Sequence, residues 1–332
     1  MSTLPFDLDT EIAKFKAFEG VESAFGRIVQ TGPDILKFTP NRAIKKMKAG
    51  FLALVHGNEV IGLPILNTLI KSLLDGTLTP DYEILFGLGN LRAAYANKRF
   101  LEIDLNRCFG PTPTSSPEEQ RAREIEKYLL NEVDYLIDLH QTVQLSQNPF
   151  FIFQYSSQNC FSHINLMNSD FPAVLQFDNI GDSQGLSTDE YLRGRGRFGV
   201  ALELGQIGVT GERFNDGLLV CTNFIEKLKT FESYEQMNVP FVGKLNFPLF
   251  EISERMIAPE DNSKLDTMWS NFAKFKKGEM LGLSPSGPIL AQRAGCVLFP
   301  KLNQTLSKGQ NMFFICSEYT TSSPASVAAE IF

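Results

Sequence analysis

This sequence predicts an α/β protein: a mixed, mostly parallel central sheet with helices on both faces, followed by a small all-β C-terminal domain. Three observations carry that expectation. Short uninterrupted apolar runs end in turn residues, as strands buried on both faces do. Amphipathic segments of helical period stand between those runs. After about residue 235 the texture changes to short β-prone runs separated by Gly, Pro, Asn and Ser. The boundary is expected between 1–236, a catalytic α/β domain, and 237–332, a β-rich domain.

The chain opens with a helical pattern at 7–24, with Ile12, Phe15 and Phe18 on one face. Loose alternation over 26–39, broken by Thr31, Gly32, Pro33 and Asp34, predicts a hairpin. The run FLALV at 51–55 is the first buried strand, and it leads straight into His56, Gly57, Asn58 and Glu59. A helix follows, with Ile61, Leu63, Leu66, Ile70, Leu73 and Leu74 apolar and Gly76 placed to stop it. A second strand is expected at 82–88 and a helical turn near 91–96. Residues 99–107, RFLEIDLNR, read as a loop lining a site. Ser116, Pro117 and Glu119 form a capping box with Pro in the first helical position, so a helix starts there.

A third strand is expected at 134–139, with His140 directly after it. Residues 148–190 carry weak periodicity and are read as loops with one or two strands. A further buried strand covers 198–204 and a closing helix 215–231. Beyond it, β-prone runs at 240–251, 287–291, 296–300 and 312–317 make up the C-terminal part.

Composition narrows the function. The 332 residues allow an ample core, and 43% are hydrophobic, as in ordinary globular chains. The net charge of −7, without a basic block, disfavours nucleic acid and anionic membrane surfaces as main partners. No stretch reaches the roughly 18 uninterrupted apolar residues of a membrane span, and no secretory signal core opens the chain. Five widely spaced Cys without a CxxC indicate neither a disulfide framework nor a thiolate zinc site, which points to a reduced, cytoplasmic setting. A homo-oligomer is compatible with the sequence.

Only three histidines are present, His56, His140 and His163, so a three-ligand metal site must use most of them or add a carboxylate. His56 and Glu59 stand where a buried strand gives way to a helix. Ligands bind at the carboxyl ends of strands in open α/β sheets, and a His and a Glu three residues apart can meet one zinc ion. His140 ends another apolar strand, an equivalent position in the architecture. Asp138 could orient an imidazole, although alternation along a strand leaves its side open. Glu203 interrupts an apolar strand, where a carboxylate is expensive unless it is paired or functional. Asn106 beside Arg107 suits a carboxylate ligand.

The segments HGNE at 56–59, RFLEIDLNR at 99–107, DLHQT at 138–142 and ELG at 203–205 occur in the order and spacing of the succinylglutamate desuccinylase/aspartoacylase family. The resemblance covers most of 25–230. VLFPK at 297–301 is also similar to a desuccinylase segment. The resemblance implies a catalytic domain like that of the zinc carboxypeptidases, acting on a small anionic N-acyl amino acid. It implies that His56, Glu59 and His140 hold one Zn2+ with a position open for water. It makes Glu203 the general base, Arg99 the group that polarises the scissile carbonyl, and Asn106 with Arg107 the grip on the carboxylate of the amino-acid half. A further family arginine lies about ten residues before the base; Arg193 fits that spacing, with Arg195 and Arg197 as rivals. A substrate-binding tyrosine of aspartoacylase has no convincing counterpart, since Tyr319 sits differently. The implied reaction is desuccinylation of N-succinyl-L-glutamate to succinate and glutamate. An aspartoacylase-like deacylase and a non-catalytic zinc-stabilised binding protein are the rival readings.

Several features are decoys. Gly194, Gly196 and Gly199 match a dinucleotide fingerprint but precede a strand rather than joining a strand to a helix; the expectation is a flexible loop beside the active site. His163 has no partner motif and reads as a polar loop residue.

Overall fold

The apolar run that precedes His56 becomes an inner strand of a twelve-stranded sheet. The computed structural model describes residues 5–42, 45–144, 146, 148–154, 159–167, 170–176, 185–239, 245 and 247–319. Along the chain lie α1 (Leu8–Ala17), β1 (Gly26–Gly32), β2 (Ile35–Pro40), β3 (Lys48–Ala53), α2 (Gly62–Leu74), β4 (Glu83–Leu88) and α3 (Leu91–Tyr95). Then come α4 (Pro117–Ile125), β5 (Tyr135–Thr142), β6 (Phe150–Gln154), α5 (Asn159–Ile164), β7 (Ala173–Gln176), α6 (Thr188–Arg193), β8 (Phe198–Gln206), α7 (Gly211–Leu228) and α8 (Tyr234–Met237). The C-terminal part supplies β9 (Leu249–Ile257), β10 (Lys264–Leu265), β11 (Lys274–Phe275), β12 (Met280–Ser284), β13 (Gly287–Leu290), β14 (Gly295–Leu298) and β15 (Asn311–Glu318).

The strand order of the large sheet is β1-β2-β4-β3-β5-β8-β6-β7-β9-β15-β14-β11. Its centre, β4-β3-β5-β8, is parallel. The hairpin β1-β2 is antiparallel and runs antiparallel to β4, while β6 is antiparallel to β8 and parallel to β7. Alternation sorts the side chains of β3 and β5 onto two faces. Phe51, Tyr135, Ile137 and Leu139 enter the larger core with α1, α2 and α7. Leu52 and Leu136 enter a second core with α4 and with Leu192 of α6. Helices therefore cover both faces, as the sequence predicts.

Local chemistry explains most element ends. The Ser116–Glu119 capping box forms in full and starts α4. Gly76 takes φ +81, which lets the chain leave α2. The first helix stops at Ala17 rather than 24; Phe18 turns the chain and still packs on the larger core. The closing helix starts at Gly211 rather than 215, because the Thr210 side chain accepts the Arg213 N–H as a cap. Strand β5 runs through His140 to Thr142, so His140 lies within the strand and not after it.

The C-terminal strands add to the main sheet. Strand β9 pairs parallel with β7 and antiparallel with β15, while β10, β12 and β13 form a separate three-stranded sheet. A shared cluster of Phe150, Ile152, Val174, Phe250, Ile252 and Leu298 lies across the 236/237 boundary expected from sequence. Of the run expected at 240–251, residues 240–244 and 246 lie outside the described residues, and the strand there begins at Leu249.

Candidate active site

Chain direction brings the site together at the carboxyl edge of the parallel strands. After β3, Leu54 takes φ +61, a left-handed conformation that is costly for a branched residue. The turn that follows is pinned from outside. The Gly57 N–H donates to the Arg99 carbonyl at 3.0 Å, and a Cβ on Gly57 would stand 2.2 Å from the Ala94 nitrogen. Only glycine fits between this turn and α3.

That turn points His56 and Glu59 at His140 of β5. The His56 Nδ1 atom is 3.0 Å from Glu59 Oε1 and 3.1 Å from His140 Nδ1, and His140 Nδ1 is 3.0 Å from Glu59 Oε2. All three side chains are buried. Two imidazole nitrogens and a carboxylate facing one point offer lone pairs that cannot all be satisfied by one another. Such a donor set fits a divalent cation, and His2Glu is a ligand set for zinc with room for a further ligand. Burial works against the charge of Glu59, but His56 and His140 outweigh it and hold the carboxyl below its ordinary range.

The distal imidazole nitrogens have carboxylates of their own. His56 Nε2 lies 3.0 Å from Asp104 Oδ1, and His140 Nε2 lies 3.0 Å from Asp138 Oδ2. Asp138 and His140 are two residues apart in β5, so the pleat turns both to the α6 face. Asp138 is fully buried and accepts a hydrogen bond from Thr188 Oγ1 at 2.8 Å. Carboxylates behind ligating histidines fix their tautomer and orientation. Gln141 anchors the same edge: its N–H donates to Glu59 Oε2 at 2.9 Å, and its side-chain oxygen accepts the Ile61 N–H at 3.1 Å.

Glu203 sits opposite His140 in the β5-β8 register. It is buried, and its Oε2 has no hydrogen-bond partner among the described residues. Burial first, and then the charge of Glu59, push this carboxyl up to about 7 against the pull of His140, His56 and Arg99. A carboxyl poised near neutrality beside a cluster that could hold a metal suits general base work.

These groups open on a cavity of about 580 Å3. Arg99, Asn106, Arg107, His56, His140 and Glu203 all line it. Arg99 Nη1 reaches Glu59 Oε1 at 2.9 Å, and Asn106 Oδ1 accepts the Thr188 N–H at 3.1 Å. The sequence-based site therefore gathers around one space, with one correction. Arg193, at the end of α6, is not among the residues lining the cavity. Its rivals are engaged elsewhere: Arg195 with Asn131, and Arg197 with Asp134 just ahead of β5. The Gly194–Gly199 loop thus lies toward the amino edge of the strands, not beside the site. Tyr319 is also absent from the cavity wall; its ring rests against Phe161.

Sequence reasoning gave no role to Asp104, Gln141 or Thr188. Asp104 and Gln141 stand inside the motifs RFLEIDLNR and DLHQT, which was the available signal. His163 is no loop residue: it is buried in α5 and stacks on Tyr234 and Phe198, with ring centroids at 5.3 and 4.9 Å.

Comparison with known proteins agrees with this architecture. The family model described as succinylglutamate desuccinylase/aspartoacylase catalytic domain matches residues 49–225. A succinylglutamate desuccinylase of Pseudoalteromonas atlantica is 26% identical over 300 residues, which is 83% of each chain. A probable aspartoacylase of Nostoc sp. is 25% identical over 277 residues, covering 74% of this chain and 86% of the other. In fold, the chain is similar to the succinylglutamate desuccinylase of Vibrio parahaemolyticus, with TM-score 0.67 and 18% identity over 90% of each chain. It is likewise similar to murine aminoacylase 3, with TM-score 0.60 and 18% identity over 83% of this chain and 96% of the other. With a family model covering more than half of its length, the chain belongs to the succinylglutamate desuccinylase/aspartoacylase family.

Proposed function

We propose that this chain is a metal-dependent hydrolase that removes the acyl group from a small N-acyl amino acid, with one zinc ion held by His56, Glu59 and His140. The observation that carries this reading is the convergence of three buried ligand groups, two of which, His56 and His140, share the wall of one cavity with the buried Glu203. The names of the relatives supply the substrate class. N-succinyl-L-glutamate, cleaved to succinate and glutamate, is the substrate those names favour most, with an aspartoacylase-like substrate as the rival.

When bound, the ion would supply Lewis acidity, acidifying water and polarising the amide carbonyl. The chain's own residues do the rest. Glu203 takes the proton of the attacking water and returns it to the leaving amine. Arg99 places its guanidinium where negative charge develops on the former carbonyl oxygen; losing such a donor typically raises a barrier by about 3 kcal/mol. Arg107 meets the carboxylate of the amino-acid half. Asn106, whose Oδ1 is taken by the Thr188 N–H, keeps its amide NH2 to donate to the same carboxylate. All five cysteines are buried thiols, which supports a reducing, cytoplasmic setting.

The test is metal content together with turnover of succinyl, acetyl and formyl derivatives of Glu, Asp, Arg and neutral amino acids, for wild type and Glu203→Gln. One zinc per chain, with one acidic substrate turned over and that activity lost in the variant, is the expected result. Stoichiometric zinc without turnover of any member would shift the reading to a binding protein.

A further inference from the structure

The cavity has two chemically different walls. On the α6 side stand Ser187, Asp189 and Glu190, two of them carboxylates. The opposite wall comes from the C-terminal strands and their loops, and it carries Ile252, Asn271, Phe299, Lys301 and Phe314. Among the described residues, Lys301 is the one lysine lining the cavity, with Arg99 and Arg107 as its arginines. Arg99 is held by Glu59 and Asp104. Lys301 is exposed, and no carboxylate of the described residues lies within ion-pair distance of it.

The backbone that presents Lys301 is unusual. Phe299 takes φ +53, a left-handed conformation, directly before Pro300. An aromatic residue there is under strain, and strain of this kind persists where the surroundings hold it in place. Asn271 does the holding: its Oδ1 accepts the Phe299 N–H at 2.7 Å. That bond fixes the orientation of the amide, because the atom facing an N–H must be the oxygen. Asn271 lines the cavity, and its Nδ2, in a residue only 5% exposed, is a donor with no partner among the described residues. A buried donor left unpaired is destabilising unless something fills its valence.

We infer that Asn271 and Lys301 form a second acceptor-binding subsite, one that takes a carboxylate at the far end of the substrate's acyl group. The inference rests on the deacylase reading above and deepens it. The cavity wall also carries the apolar Ile152, Ala201, Ile252 and Phe314. It matches the methylenes of an acyl chain, and the two donors match its charged terminus. Asn106 and Arg107 are taken by the amino-acid carboxylate, which leaves the acyl end to the C-terminal wall. The acyl specificity of the enzyme thereby resides in residues that belong to the β-rich C-terminal part.

The test measures binding of succinate, and of butyrate as its methyl-ended counterpart, to the metal-loaded full chain by calorimetry. Wild type is compared with Lys301→Met and Asn271→Asp. The second substitution keeps an oxygen to cap Phe299 and removes the amide donor. Charge-assisted hydrogen bonds from the Asn271 amide and the Lys301 ammonium predict that succinate binds about 10- to 100-fold tighter than butyrate in the wild type, with the ratio falling toward one in each variant. A wild-type ratio near one, or a ratio that either folded variant leaves intact, overturns the subsite. Should Asn271→Asp not fold, the exposed Lys301→Met alone decides. Turnover of N-succinyl- and N-butyryl-glutamate by the same proteins is read separately. A chain that shows the succinate preference but hydrolyses neither compound refutes the deacylase reading and keeps the subsite. Hydrolysis of both at similar kcat/KM does the reverse.

Discussion

The Asp138 carboxylate lies 3.0 Å from His140 Nε2, two residues along the same strand, with its other contact to the Thr188 hydroxyl at 2.8 Å. The pleat of β5 thus supplies a ligand and its supporting carboxylate from adjacent positions on one face. Burial works against the His140 cation, but Asp138 and then Glu59 raise its pKa well above the ordinary histidine value. Asp138→Ala should weaken zinc binding by about 10- to 100-fold, measured by competition with a chromophoric chelator. Unchanged affinity would show that the carboxylate does not support the ligand.

Glu203 should make stability depend on pH. Its folded pKa, raised from 4.5 to about 7, means that the folded state binds more protons than the unfolded state between those values. Stability of the metal-free protein therefore falls as pH rises through that window and stays lower above it. Glu203→Gln should be more stable than wild type at pH 8, by about 3 kcal/mol, and equal to it near pH 4. Its kcat should drop by about 100- to 10,000-fold with zinc retained. Urea titration of both chelated proteins at the two pH values checks the first part, and steady-state kinetics the second.

His163 gives the opposite pH dependence. Burial lowers its pKa from 6.5 to about 4, with only the Asn238 contact opposing. Here the unfolded state binds the extra proton, so stability is complete above pH 6.5 and declines as pH falls toward 4. The loss should approach about 3 kcal/mol. His163→Phe keeps a ring between Phe198 and Tyr234 and should flatten the decline, as seen in melting temperatures from pH 7 to pH 4.5.

Gly57 tests the turn itself. A methyl group there meets the Ala94 nitrogen at 2.2 Å and the Ala93 carbonyl carbon at 2.3 Å, and neither backbone atom can swing aside. Gly57→Ala should displace the His56–Glu59 turn from α3, lowering zinc affinity and the melting temperature together. Normal zinc affinity in this variant would mean that the ligands are not positioned by that contact.

Much of this arrangement was readable from local chemistry. The run at 51–55, the β1-β2 hairpin and the Ser116 capping box each declare themselves within a few residues. The metal cluster was legible because only three histidines exist and two of them follow apolar runs. Arg193 does not line the cavity, because a count back from Glu203 takes no account of where the short helix α6 places its last residue. His163 was misread because its aromatic surroundings come from three distant segments. Asn271 carried no signal at all: its importance comes from a backbone bend at Phe299, 28 positions away. The union of β7 with β9 is likewise a long-range pairing that no local pattern encodes.

That union has a consequence for how the chain is made. Strand β7 is apolar on both faces and reaches the ribosome's exit some seventy residues before its partner β9. Until β9 docks, the part of the chain before it presents an open, hydrophobic strand edge, the kind of template on which chains stick to one another. The C-terminal strands are thus expected to shield that edge during synthesis. A chain cut short before Leu249 is expected to collect in inclusion bodies, although every residue of the metal cluster would be present in it.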